Sequence, residues 1–408
     1  MSIIYEKANY RNPDNYPEMM VLNPRQRHQQ WAKAVSAASH YVKEGAMLYL
    51  PEAGTNHVTD VLTTAAKRGL STQLHVDAIT WLLQGGKTRL FPRSPFTKIE
   101  NTPWTNHLTE YFQDFQSAGG QLIIHNPARS MLVKMFPWIQ RDHRKGGVVD
   151  GKIGDWKDYN YGENSWDMLC YALSTTHPPT VEVLEKQFEY SRILTSDGEY
   201  VDKRPAGDLI VQIPGQPYQF LMDRGDPGKS VMLQRALAIA KYPGPAIFAS
   251  QYPASGRIAQ AIEDRSKDGY PTVFITSNEN HSGNIRKFSP RKLAALKWES
   301  TSKENPLIDT VYHHGKVHSK AFLVWTPDGV LGIVGSNNFN EVGIWAGTAE
   351  NGFEFIRDSQ VSRNLFDRHL VDIRRQEGHP HPFANTRYEE IYSPQNEQRH
   401  FNQSGIVI

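Results

Sequence analysis

Two stretches of this 408-residue chain repeat one design. AMLYL (46–50) reads as a short apolar strand, residues 57–68 as a helix stopped by Gly69, and residues 72–77 as a second strand. Far downstream, PAIFAS (245–250), a helix over 257–269 closed by Gly269, and PTVFITS (271–277) come in the same order. A strand–helix–strand unit implies neighbouring parallel strands, and a repeat of so long a period implies duplicated lobes rather than a solenoid. The chain therefore reads as a two-lobed α+β protein. An N-terminal extension (1–22) precedes a first lobe (23–194), a connecting segment (195–215), a second lobe (216–375) and a polar C-terminal tail (376–408). Asn23 is placed to cap a helix with Pro24 in its first turn, and Trp31, Ala34, Val35, Ala38 and Val42 then recur at helical spacing.

If the lobes are copies, chemistry in one has a counterpart in the other. RDHRKGGVVDG (141–151) carries His143, Lys145 and Asp150; VHSKAFLVWTPDGVLGIVGSNN (317–338) carries His318, Lys320 and Asp328. Residues i and i+2 of a strand share a face, so each His–Lys pair points to one side, and each aspartate sits in the following turn. The interval from Gly69 to His143 exceeds that from Gly269 to His318 by about 25 residues, assigned to a long loop at 81–104. Two such motifs suit phosphodiester chemistry. A neutral imidazole attacks phosphorus, and a protonated one delivers a proton to the leaving oxygen. The lysines neutralise the non-bridging oxygens, Ser336 and Asn338 donate hydrogen bonds to them, and the aspartates orient the imidazoles.

Composition narrows the partners. A formal net charge of +2 argues against a strongly electrostatic nucleic-acid binder. The single cysteine, Cys170, excludes an internal disulfide and reads as a small buried apolar residue. No run of eighteen apolar residues marks a membrane span, and MSIIYEKANYRNPDNYPEMM lacks the pattern of a targeting segment. MLVKMFPWIQ (131–140) reads either as a buried lead-in to the first motif or as an apolar lip for lipid chains, and the basic and apolar residues of 81–104 leave the same choice. A metal site through His313, His314 and His318 lacks a matching acidic or thiol cluster. HPHP (379–382) reads as a loop, and Trp156 and Trp166 as core residues that alternatively line the cleft.

The motifs resemble the signature of the phospholipase D superfamily, H-x-K-x4-D followed by a glycine–serine or glycine–glycine pair and an asparagine, and the resemblance spans nearly the whole chain. RDHRKGGVVDGKIG and YGENSWD (161–167) are closest to the cardiolipin synthase branch. The family implies two αβαβα-sandwich lobes packed as a pseudo-dimer around one composite active site, a covalent phosphohistidine and no metal or other cofactor. It implies His143 as nucleophile and His318 as acid and base. Asn160 keeps the family's asparagine position as a substrate-binding residue, and Glu350 resembles a glutamate that supports the second histidine. Two departures stand out. Where the small pair belongs, this chain has Lys157 and Asp158, which read as a local ion pair outside the site. Seven residues rather than four separate Lys320 from Asp328, which reads as a longer hairpin turn.

The leading expectation is a phosphatidyltransferase of cardiolipin-synthase type. The alternatives are a phospholipase D that passes the intermediate to water, a phosphodiester nuclease, and a non-catalytic lipid-binding protein. The expected partners are a phospholipid, an alcohol or water acceptor and a peripheral membrane surface, with no nucleic acid and no required oligomer. The expected location is cytoplasmic, on the inner face of a membrane.

Overall fold

Asn23 starts the first helix as the sequence predicts. Its side chain accepts the Gln26 N–H at 2.9 Å, Gln26 Oε1 accepts the Asn23 N–H at 3.1 Å, and Pro24 opens helix Pro24–Ala37. The computed structural model describes residues 19–49, 53–77, 79–80, 112–126, 141–161, 168–194, 200–277, 297–298, 300–313, 315–339 and 344–374. The loop at 81–104, the segment 131–140, Trp166, His314 and HPHP lie outside the described residues.

The first lobe contributes β1 (Met20–Leu22), β2 (Tyr41–Ala46), β3 (Ser71–Asp77), β4 (Gln121–His125), β5 (Gly146–Val149), β6 (Ile153–Lys157), β7 (Ala172–Thr175), β8 (Arg192–Leu194) and β9 (Tyr200–Asp202). They form one sheet in the order β1-β7-β6-β5-β2-β3-β4-β8-β9. The second sheet holds β10 (Leu209–Gln212), β11 (Tyr218–Met222), β12 (Ala246–Ala249), β13 (Thr272–Ser277), β14 (Ile308–His313), β15 (Ala321–Thr326), β16 (Gly329–Gly335) and β17 (Asn351–Phe355). Its order is β10-β11-β17-β16-β15-β12-β13-β14. The runs β7-β6-β5-β2-β3-β4 and β17-β16-β15-β12-β13-β14 are the same topology twice. In each, the strand–helix–strand unit gives a parallel pair, β2 with β3 and β12 with β13.

The sheets face one another across a shared core. Val148, Trp156 and Leu173 of the first lobe join Val334, Phe353 and Phe355 of the second in one buried cluster. Each large apolar side chain so buried contributes about 1.5–3 kcal/mol. Helix Gln360–Arg374 locks the arrangement, burying Val361, Leu365 and Phe366 in that core. It reaches the first lobe where Arg368 donates to Val21 O at 2.7 Å and Asp372 accepts the Tyr171 hydroxyl at 2.7 Å. Among the described residues no helix is long and apolar enough to cross a membrane.

Three local expectations are corrected. The strand expected at 46–50 lies at Tyr41–Ala46, and Val42 belongs to it rather than to the first helix. That helix ends at Ala37 because Ala38 turns extended (ψ 145°). The second motif's extra residues lengthen β15, not its turn. β5 is four residues long and closes through a three-residue loop between Val149 and Ile153; β15 is six residues long and closes through Pro327 and Asp328 alone.

Candidate active site

Each histidine is clamped by the opposite lobe. The His143 N–H donates to Ala349 O at 2.8 Å, and the Ala349 N–H to Arg141 O at 2.8 Å. In the mirrored arrangement the His318 N–H donates to Leu169 O at 2.9 Å, and the Leu169 N–H to Lys316 O at 3.0 Å. These two short bridges bring both motifs together, and His143, Lys145, His318 and Lys320 are all buried. His143 is close enough to His318 that its charge bears on the His318 ring.

Their immediate partners differ. His143 Nδ1 lies 2.8 Å from Glu350 Oε2, and Ser336 Oγ donates to the same oxygen at 2.5 Å. His318 Nδ1 lies 2.7 Å from Lys320 Nζ, which also donates to the His318 carbonyl. Lys145 Nζ donates to His143 O at 2.6 Å. Burial holds His143 below the usual histidine value, and Glu350 partly restores it. Burial, with Lys320 and Lys316 beside it, pushes His318 well below, so its resting form is neutral rather than the expected cation. Burial and the neighbouring Lys320 push Lys145 well below the usual lysine value, and burial brings Lys320 down to about 8.

Glu350 thus serves His143, the first histidine, and not the second as the resemblance implied. Ser336 reaches the site through Glu350. Asn338 is half-buried; among the described residues its Oδ1 has no hydrogen-bond partner, and its carbonyl accepts from Ser250 at 3.0 Å. Asn160 Oδ1 accepts the Leu48 N–H at 3.1 Å.

Neither motif aspartate orients an imidazole. Asp150, at φ 52°, turns its carboxylate onto the N–H groups of Ser39, His40 and Tyr41, each at 2.9 Å. These bonds lower its pKa to about 2 although partial burial acts the other way. Asp328 is exposed in the β15–β16 turn. The short strand before each turn carries the aspartate away from the histidine. Asp150→Ala is therefore expected to keep its turnover and lose about 1 kcal/mol of stability, read by urea unfolding and activity on one preparation. Because its folded pKa is depressed, the contribution is present above the unfolded value of about 4 and fades as pH falls towards about 2.

The expected Lys157–Asp158 ion pair does not form, because successive strand residues face opposite ways. Lys157 points behind the sheet, pairing with Glu44 and donating to the Tyr161 hydroxyl at 2.6 Å. There Arg27 holds Asp155 and Glu44, each at 2.8 Å. Gly147 makes room for this cluster: a Cβ on it would come within 2.5 Å of Glu44 Oε2. Asp158 faces the other way, towards Lys320 and Lys145. Burial raises it to about 7 and Lys320 is the largest influence opposing that rise. The sequence reading missed this carboxylate. The available signal was strand alternation, which sets Asp158 opposite to Lys157. Trp156 is a core residue whose Nε1 donates to Asn351 Oδ1 of the other lobe at 3.1 Å. His313 Nδ1 accepts the Gly315 N–H at 3.0 Å.

The chain matches no family profile and no curated protein by sequence. Its structure is similar to phosphatidylserine synthase of Haemophilus influenzae Rd KW20, with TM-score 0.62 and 13% identity over 95% of each chain. It is also similar to polyphosphate kinase of Porphyromonas gingivalis, with TM-score 0.50 and 12% identity over 86% of this chain. The match spans about half (49%) of that kinase's own length. Two mixed sheets of like topology, paired so that each clamps the other's histidine, give this chain the two-lobed fold it shares with that phosphatidylserine synthase.

Proposed function

We propose that the protein is a phosphatidyltransferase of cardiolipin-synthase type, moving a phosphatidyl group from a phospholipid to an alcohol through a phosphohistidine on His143. The observation that carries the reading is the unlike pairing of two buried histidines, one on a carboxylate and one on an ammonium. Glu350 accepts Nδ1–H of His143, which leaves the Nε2 lone pair for phosphorus. Lys320 donates to Nδ1 of His318, which leaves the proton on Nε2. As His143 Nε2 bonds to phosphorus, the bond to the leaving alcohol breaks. That oxygen takes the proton from His318 Nε2, while Nδ1 takes one from Lys320. His318 is then the opposite tautomer, with its lone pair on Nε2. In the second step it accepts the proton of the incoming alcohol there and returns the Nδ1 proton to Lys320. The acceptor oxygen displaces His143, and Lys145 and Lys320 donate hydrogen bonds to the non-bridging oxygens. The likeness to a phosphatidylserine synthase over nearly the whole chain supports phospholipid as the substrate class.

The reading is tested on liposomes of mixed anionic phospholipids with and without glycerol, followed by lipid mass spectrometry. The expected result is a new exchanged phospholipid, absent with His143→Ala and with His318→Ala. Phosphatidic acid alone makes the protein a hydrolase with the same machinery. No lipid product overturns the reading.

A further inference from the structure

The lobes wall their histidines with equivalent positions, and at one pair of positions the chemistry is exchanged. In the second lobe the Ser336 N–H donates to Asn351 O at 2.8 Å, and the Asn351 N–H returns to Ser336 Oγ at 2.9 Å. In the first lobe the Asp158 N–H donates to Tyr171 O at 3.2 Å, and the Tyr171 N–H returns to Asp158 Oδ1 at 3.0 Å. The register beneath agrees, since Gly335 faces Gly352 as Lys157 faces Ala172. One residue earlier stand Glu350 and Cys170. Before those stand Ala349 and Leu169, whose carbonyls hold the opposite histidines. Ser336 and Glu350 therefore correspond to Asp158 and Cys170. The carboxylate of the first lobe hangs from the end of β6, not from the start of β7.

This exchange accounts for the unlike histidines. Glu350 touches His143 directly. The equivalent position in the first lobe holds a thiol, Cys170, which burial and then Asp158 keep protonated, and Lys320 takes the His318 ring nitrogen instead. We propose that Asp158 is the positioning residue for His318, doing through the Lys320 ammonium what Glu350 does for His143 by contact. Asp158 faces Lys320, Lys145, Cys170 and the Tyr171 backbone. Lys320 faces His318, Asp158, Glu350, Cys170, Lys316 and Lys145. Of the charges around Lys320, Asp158 does most to hold its proton against burial. An ionised Asp158 and a charged Lys320 coexist between about 7 and about 8. That window is the pH optimum the proposal predicts. Activity falls below it as Asp158 takes a proton and above it as Lys320 loses one.

The role in turnover rests on the phosphodiester reading; the placement of His318 does not, and the experiment separates them. Asp158→Asn keeps an acceptor for the Tyr171 N–H, and the double variant Asp158→Ser/Cys170→Glu rebuilds the second lobe's pair. With bis(p-nitrophenyl) phosphate as probe, Asp158→Asn should lower kcat by about 10- to 100-fold with little change in KM. Its alkaline limb should move about one unit to lower pH. The double variant should move the limb back and recover more rate than Asp158→Ser alone. In 15N-histidine spectra, with His318 assigned from His318→Ala, the wild type should show the Nε2–H tautomer at His318. That signal should shift in Asp158→Asn and return towards its wild-type position in the double variant. Unmoved His318 signals in folded Asp158→Asn, or a double variant no better than Asp158→Ser, overturn the proposal. A wild type inert on every phosphodiester defeats the functional reading, and the spectra still decide the role of Asp158.

Discussion

His143→Ala is expected to lower turnover on phosphodiesters by at least about 10⁴-fold while the protein stays folded. The loss is large because among the described residues no other side chain is placed to supply the lone pair at that point. In the proposed mechanism His318 holds the complementary tautomer, with Lys320 as its Nδ1 partner. Folding survives because the backbone N–H of residue 143 still reaches Ala349 O. Glu350 also keeps the Ser336 hydroxyl as a donor. Leaving that carboxylate half-satisfied costs about 1–3 kcal/mol, visible as a lower urea midpoint. Turnover within tenfold of wild type, with a native circular dichroism spectrum, would remove His143 from the chemistry.

The second large effect lies behind the site, on the other face of the first sheet. Arg27→Met is expected to cost about 3–5 kcal/mol, the usual result of removing one partner from a buried ionic cluster. Arg27 Nη1 donates to the Tyr161 hydroxyl at 2.5 Å, and its other nitrogens hold Asp155 and Glu44. Two cations, Arg27 and Lys157, then balance two carboxylates, Glu44 and Asp155. Without Arg27, Lys157 remains alone against two buried negative charges. Burial already draws Lys157 down to about 8, so it supplies a full charge only below that pH. Urea unfolding followed by tryptophan fluorescence reads the loss, and an unchanged midpoint would contradict this account of the cluster. Lys157 and Asp158 thus serve opposite faces of one strand end, one in the stability of the first lobe and the other towards the lysines of the site.

The duplication and the His–Lys pairs were legible because both rest on local pattern. Gly69 and Gly269 take the positive φ that ends each helix, at 85° and 84°. The Asn23 cap was legible for the same reason. Partnership between lobes was not. Glu350 reaches His143 across 207 positions of sequence, and nothing in the neighbourhood of either residue encodes that contact. The aspartates were misread because Asp-Gly turns and catalytic carboxylates look alike in sequence. Only the backbone donors of Ser39, His40 and Tyr41 separate them. The equivalence of Cys170 with Glu350 was hidden because the link from Asp158 to Cys170 is shorter than that from Ser336 to Glu350. An ungapped comparison of the lobes therefore slides past it, and the paired backbone bonds recover it.

The central claim is a covalent phosphoryl intermediate on His143, and trapping it tests that claim most directly. Wild type, His143→Ala and His318→Ala would be mixed rapidly with a radiolabelled short-chain phospholipid and quenched in alkali, where phosphohistidine survives. The labelled peptide would then be mapped by mass spectrometry. The expected result is label on His143 in the wild type, slower labelling of His143 in His318→Ala, where the leaving oxygen lacks its proton donor, and none in His143→Ala. Label on His318, or product formed with no labelled histidine at any mixing time, would contradict it.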